Sequence, residues 1–316
     1  MSRRSVFYPK GKERSIKIIN ALIGLLFLVT IAAMPPALPL DSDSDVGSVI
    51  TEESFFSGKW IPKNDTPEQG GFGEAVVGTG KEIYIARCYD INDNPAFWRY
   101  DSNKNKWDNM TTSGFEKGAF RNGAALAWDH DNHIYALLGG RYKAEDNDYC
   151  LFYRYATSNN SWKNLTDTLT GDVRHGQGAG DAITWANGYS YVIMGNRIRK
   201  SVFARYNCRD KSWELLSLPR SWKNKTDGGA SLVWTGGKYL YALQGETNEN
   251  NGSKNNNFSR YDIDSNTWED MANISEGSCG VGDGGSLLWI GKGMYEYANY
   301  IFALGGRLCI PRRPRR

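Results

Sequence analysis

A Tyr followed seven residues later by a Trp occurs four times in this chain at nearly constant intervals. The copies run Tyr100 to Trp107, Tyr155 to Trp162, Tyr206 to Trp213 and Tyr261 to Trp268. The six intervening residues are rich in Asn, Asp, Ser and Lys, which favour tight turns. Successive Trp residues lie 55, 51 and 55 positions apart. A fixed internal spacing inside a period of roughly 50 residues marks a repeated supersecondary unit. The chain must therefore fold as a series of similar pieces, each burying surface against the next.

Each piece reads as four short strands, here called A to D. The 18 Tyr, 11 Trp and 35 Gly among 316 residues suit short strands joined by tight turns. In the first repeat the strands are expected at Ala75 to Val77, Glu82 to Arg87, Phe97 to Tyr100 and around Trp107. The second has Ala124 to Trp128, His133 to Gly140, Tyr149 to Tyr155 and Trp162. The third has Ala182 to Trp185, Tyr189 to Gly195, Val202 to Tyr206 and Trp213. The fourth has Ser231 to Trp234, Tyr239 to Gly245, Phe258 to Tyr261 and Trp268. Strand A ends in a second repeated Trp, at Trp128, Trp185, Trp234 and Trp289, with Gly78 in that place in the first repeat.

Di-glycine closing strand B, then Tyr, then Trp on strand D, resembles the kelch motif. Gly139-Gly140 and Gly305-Gly306 match its di-glycine, whereas Gly195-Asn196 and Gly245-Glu246 match half of it. The first repeat departs from it, with Arg87-Cys88-Tyr89. The resemblance covers about residues 48–307 and implies an all-β fold, a kelch-type β-propeller of four-stranded blades around an axis. A fifth repeat begins with strand A at Gly284 to Trp289 and strand B at Tyr300 to Gly306, and lacks C and D before Arg316. Val49-Ile50-Thr51 and Trp60 offer the missing half, with Glu53 where the Tyr would stand. Residues 48–62 are thus expected to supply strands C and D to the last blade, giving five blades and removing open edges. The alternative is a fragment of a six- or seven-bladed ring.

The segment before the repeats has three parts. Residues 1–17 form a basic segment with six Lys or Arg against Glu13, expected to stay cytoplasmic. Residues 18–40 carry no charge and suit a transmembrane signal anchor, or a signal peptide cleaved after Ala33. Residues 41–47 are a short acidic spacer, and 48–316 the propeller. Either N-terminal reading makes the protein extracytoplasmic, membrane-anchored at a cell surface or secreted. Eight Asn-x-Ser/Thr sequons, at Asn64, Asn109, Asn159, Asn164, Asn224, Asn251, Asn257 and Asn273, are permissive for glycosylation there. Net charge is +3, concentrated at the two termini, so no broad basic face suggests a nucleic-acid partner.

Five scattered cysteines lack zinc spacing. Cys279 and Cys309 flank the fifth A–B strand pair and are the preferred disulfide candidate. Cys88 with Cys150 is a weaker one, and Cys208 is expected to be free. No metal or cofactor is expected: His130 and His133 flank Asp131 on an A–B hairpin without a third ligand in evident geometry. Binding chemistry is expected where loops do not repeat, in the B–C and D–A connections that share one face. Arg141, Arg197 and Arg307 follow strand B in register and could meet a carboxylate or sulfate, joined by Arg174, His175 and Glu246. The expected function is binding of a protein or glycan. The rival is a carbohydrate-active enzyme, because kelch propellers include copper oxidases resembling galactose oxidase and sialic acid mutarotases. Arg141, Arg197, Asp181, Asp283 and Glu246 are the candidates for an acid/base pair in that reading.

Overall fold

The computed structural model describes residues 62–69, 74–80, 82–87, 95–115, 123–138, 150–174, 181–195, 201–222, 226, 228–245, 257–273, 281–282, 284–289 and 300–305. Within them lie eighteen strands and almost no helix. The first sheet is β1 (Ala75–Gly78), β2 (Glu82–Arg87), β3 (Ala96–Asp101) and β4 (Lys106–Asn109). The second is β5 (Ala124–Trp128), β6 (His133–Leu138), β7 (Phe152–Ala156) and β8 (Ser161–Asn164). The third is β9 (Ala182–Ala186), β10 (Tyr189–Met194), β11 (Val202–Asn207) and β12 (Ser212–Leu216). The fourth is β13 (Ser231–Trp234), β14 (Tyr239–Leu243), β15 (Phe258–Asp262) and β16 (Thr267–Asp270). A two-stranded sheet, β17 (Ser286–Trp289) and β18 (Ile301–Leu304), follows. Every sheet is an antiparallel meander in chain order.

The Tyr-to-Trp spacing has a simple geometric cause. Tyr100 and Trp107 are direct cross-strand partners, as are Tyr155 and Trp162, Tyr206 and Trp213, and Tyr261 and Trp268. One residue of each strand and a four-residue turn lie between them, so six residues intervene and the Trp stands seven positions after the Tyr. In the first turn Asp101 Oδ1 accepts from the backbone N–H of Asn103 and Lys104, at 3.0 and 3.1 Å. Asn207 and Asp262 do the same in the third and fourth sheets. The last turn residue is left-handed: Asn105, Asn160, Lys211 and Asn266 all have φ between 49° and 58°. Asn tolerates that conformation better than most residues. Three of these Asn also accept from the repeat Tyr hydroxyl, at 2.8, 2.9 and 2.7 Å.

Sheets pack face to face through aromatic rings. Tyr155 and Trp162 meet Phe97 of the preceding sheet at 4.9 Å between centroids. Tyr206 and Trp213 meet Phe152 at 5.1 and 5.0 Å, and Tyr261 and Trp268 meet Phe203 at 4.9 Å. The Tyr and Phe rings are fully buried, each removing about 150–250 Å² from water. The Trp rings are only half-buried, because each indole N–H reaches the connection leaving the preceding sheet. The first strands of successive sheets pack side by side, from β1 through β17. Gly229 and Gly285 permit that approach between the fourth and fifth sheets. A Cβ on Gly229, whose φ is 86°, would overlap the Gly282 carbonyl oxygen.

Strand positions agree with expectation to within a few residues. The largest difference is the third strand of the second sheet, which starts at Phe152 rather than Tyr149. Cys150 and Leu151 precede it as buried coil, with the Cys150 N–H given to Arg174 O at 3.3 Å. Cys150 is a free thiol inside the core, so the Cys88–Cys150 disulfide is not formed. Cys208 is free in a turn of the opposite face, as expected. The apolar segment 18–40, the spacer 41–47, the strands expected within 48–61 and the Cys279–Cys309 pair lie outside the described residues. Among the described residues no helix is long and apolar enough to cross a membrane.

Candidate functional site

The meander gives the molecule two unlike ends. One carries the A–B and C–D turns. The C–D turns, 102–105, 157–160, 208–211 and 263–266, have four residues each. The A–B turns of the four complete sheets, 79–81, 129–132, 187–188 and 235–238, have two to four. The other end carries the B–C connections 88–95, 139–151, 195–201 and 244–257, of seven to fourteen residues. It also carries the D–A connections 110–123, 165–181, 217–230 and 271–285, of fourteen to seventeen.

At the long-connection end, several polar side chains are committed to holding loops. Arg87 is buried, with Nη1 2.7 Å from Glu68 Oε2 and Nε donating to Gln69 O at 2.9 Å. Its guanidinium also lies over the Trp98 ring at 6.0 Å. Asp181, just before β9, is buried and its Oδ1 accepts the Gly195 N–H at 3.0 Å, tying the start of strand A to the end of strand B. Burial pushes the Cys150 thiol well up, and the Asp181 carboxylate adds to the shift. A thiol held protonated is a poor nucleophile, so Cys150 is a packing residue. Gln244 is buried and accepts from Asn257 Nδ2 at 2.7 Å, closing the base of the longest B–C connection.

Of the site residues expected from sequence, Arg174 is described. It is exposed at the end of α1 (Gly171–Arg174), one turn of helix in the second D–A connection. Arg141, His175, Arg197, Glu246, Asp283 and Arg307 lie outside the described residues. Asp181 and Arg174 both act on the buried Cys150: the Asp181 carboxylate disfavours its thiolate, and the Arg174 carbonyl accepts its backbone N–H.

The short-turn end has a different centre. His130, at φ 62°, sits among indoles from three sheets: Trp128 at 4.9 Å, Trp185 at 5.4 Å and Trp234 at 5.9 Å between centroids. Trp185 and Trp234 also meet each other edge-on at 6.0 Å. Trp128 and Trp234 donate their indole N–H to Asp131 O and Gly237 O, within their own turns. One side of His130 stays in solvent while the indoles cover the other. That cover lowers its pKa against the opposing pull of Asp129. His133 has its Nδ1 2.9 Å from Asp129 Oδ2. Among the described residues no group of three metal-ligating side chains exists.

No family model and no curated protein matches this chain. Solved structures do. The fold is similar to that of YjhT. That likeness has a TM-score of 0.51 and covers 68% of both chains, at 16% identity. At such low identity the likeness to YjhT concerns the arrangement of sheets, and residue roles do not transfer from it.

Two features escaped sequence reasoning. The first is the His130 hub. The repeated Trp at the end of strand A was visible, but its meeting with Trp from other repeats is a property of the assembled fold. The second was readable: an Arg precedes the Tyr in all four copies, at Arg99, Arg154, Arg205 and Arg260. Three of these pair with the residue opposite on strand D: Arg99 with Asp108, Arg205 with Glu214 and Arg260 with Glu269.

Proposed function

We propose that this protein is a kelch-type β-propeller of five blades, anchored to or exported across a membrane by residues 18–40. In this reading it binds a protein or glycan through its long-connection face. The observation that carries it is the contrast in connections. Turns at one end are short and nearly uniform, while segments that vary in length and sequence all emerge at the other. Variable loops on a repeated scaffold are where recognition is built.

Ring closure is supported by a local equivalence. Trp162 and Trp268 donate their indole N–H to Thr111 O and Ser217 O, each four residues after the strand-D Trp of the preceding sheet. Trp107 donates to Asn64 O at 2.9 Å, and Asn64 is four residues after Trp60. The backbone N–H of Asn64 also meets Asn105 Oδ1 at 2.9 Å, as that of Thr111 meets Asn160 Oδ1 at 3.0 Å. Asn64 is thus bonded as Thr111 is, which supports a closing blade whose strand D precedes it. Ile50 stands ten residues before Trp60, where Phe97, Phe152, Phe203 and Phe258 stand before their own Trp. Trp98 and Tyr100, packed apart from the interface with the second sheet, are almost fully buried, as a covering blade would make them.

The enzymatic alternative is weaker on one point. Asp181, the described acid nominated for it, spends a carboxylate oxygen capping a backbone N–H. The deciding experiment is a glycan and protein binding panel with the full chain in detergent. In parallel, Arg141→Ala with Arg197→Ala removes two positive charges from the long-connection face. At least a tenfold loss of affinity with unchanged melting temperature is expected, because a bidentate Arg contact is strong where water is excluded. Turnover of a sugar by the intact chain, abolished by Asp181→Asn, would replace this reading with the enzymatic one.

A further inference from the structure

Among the described sequons the fold engages the amide nitrogen of two, Asn64 and Asn257, and only the amide oxygen of two others, Asn159 and Asn164. Asn64 Nδ2 donates to Asn105 O at 2.6 Å, inside the clamp that holds the N-terminal segment to the first sheet. Asn257 Nδ2 donates to the buried Gln244 at 2.7 Å. In both, the nitrogen that would carry a sugar is already donated to another part of the chain. Asn164 is the reverse case. Its Oδ1 accepts the N–H of Thr166, the third residue of its own sequon, at 2.8 Å, and Asn164 itself is exposed.

Position sharpens the distinction. Asn164 ends β8 opposite Tyr153, and Asn109 ends β4 opposite Trp98. Each partner lies two residues before the repeat Tyr, so the two asparagines occupy the same place in successive sheets. Among the described residues β4 and β8 are the outermost strands of their sheets, the position from which an edge can pair with another chain. A bulky hydrophilic group on that edge would block such pairing and leave both axial ends clear.

We propose that Asn109 and Asn164 carry N-linked glycans, while the Asn64 and Asn257 sequons remain unmodified in the folded protein. This rests on the extracytoplasmic reading above. The donor is a lipid-linked oligosaccharide phosphate or pyrophosphate. A bond forms between asparagine Nδ2 and the anomeric carbon, the carbon–oxygen bond to the lipid phosphate breaks, and the amide nitrogen gives up one proton. Nothing is oxidised or reduced.

The test uses the full chain from a glycosylating host. Peptide N-glycosidase in heavy-oxygen water converts each occupied Asn to a labelled Asp, which peptide mass spectrometry locates. Label at Asn109 and Asn164, with none at Asn64 and Asn257, is the expected result. Asn164→Asp keeps the acceptor for Thr166 and should lose one glycan at unchanged melting temperature. Asn64→Asp loses the Nδ2 donor and should lower the melting temperature without a change in glycan mass. Export is measured separately, by protease access to the repeats in intact cells. An exported chain without label at Asn109 and Asn164, or with label at Asn64 or Asn257, overturns the proposal alone. A chain shielded from the protease overturns the extracytoplasmic reading and the proposal with it.

Discussion

The two ends of the sheets are built from the same strands yet obey different rules. At the short-turn end, every complete sheet ends its C–D hairpin with the same device. A left-handed residue closes a four-residue turn, and the Tyr and Trp behind it lie side by side at 4.8 to 5.2 Å. At the long-connection end, the four complete sheets use four different arrangements. Arg87 grips Glu68, Asp181 caps Gly195, Gln244 holds Asn257, and Cys150 lies under α1. Uniformity marks where sheets must stack; variety marks where the scaffold has finished and the loops are free to differ. The comparison can be broken by showing that both ends contribute alike to stability.

The largest expected effect is in the aromatic stack. Phe152 is fully buried and meets Tyr135 of its own sheet together with Tyr206 and Trp213 of the next. Phe152→Ala should cost about 3–5 kcal/mol, the range for deleting a large buried ring. Replacing residues 247–256 with a Gly/Ser linker of equal length should change stability by less than about 1 kcal/mol, because loop closure entropy is preserved. Denaturant unfolding of both variants reads the difference. Equal losses would mean that the long connections are part of the core.

Alkaline pH probes the same contrast without mutation. Burial holds the Tyr155 and Tyr261 phenols up to about 12, and raises Tyr100, Tyr191 and Tyr206 in the same direction. In the unfolded chain these groups titrate near about 10. As pH rises past that value the unfolded state loses protons that the native state keeps, so stability falls. It is fully present below about pH 10 and is lost progressively towards about pH 12. Thermal melts across that window should show a falling midpoint, with tyrosinate absorbance appearing at unfolding rather than before it. Tyrosinate forming in the native state near its ordinary pKa would show that the stack admits water.

How much of this was legible in the sequence depended on whether the information was local. β2, β5 and β13 were placed to the residue, because alternation, turn residues and a repeating register act over a few positions. The spacing of seven is likewise local, being a hairpin. The start of β7 was misplaced because Cys150 is as apolar as a strand residue but gives its backbone N–H to Arg174 O, while Leu151 keeps one bond to β6, accepting from Leu138 N–H. His130 was read only as one of two His flanking Asp131 on a hairpin with no metal expected, and its aromatic surroundings went unread. Its packing against Trp185 and Trp234 depends on how three sheets meet, which no local pattern encodes. The loop face was legible only as a location: its Arg and Glu positions follow from register, and their ligand does not.

The smallest expected effect tests the repeat itself. Arg99, Arg205 and Arg260 each face an acid across the C–D hairpin, at 3.0, 2.7 and 2.5 Å. In the second sheet the register sets Arg154 opposite Lys163, a like-charge pair. Lys163→Glu would restore the pattern of the other three sheets on an exposed edge. The gain should be about 0.2–1 kcal/mol, typical of a cross-strand ion pair in solvent. It should shrink at about 1 M salt, where the Debye length is only about 3 Å. A double-mutant cycle with Arg154→Ala isolates the pair from any change in strand propensity. Lys163 lies in the same β8 strand as Asn164, one residue before the proposed glycan. A gain that vanishes when Arg154 is removed would show that the second sheet gave up an ion pair its neighbours keep. A gain that survives that removal would assign the benefit to the outer strand itself.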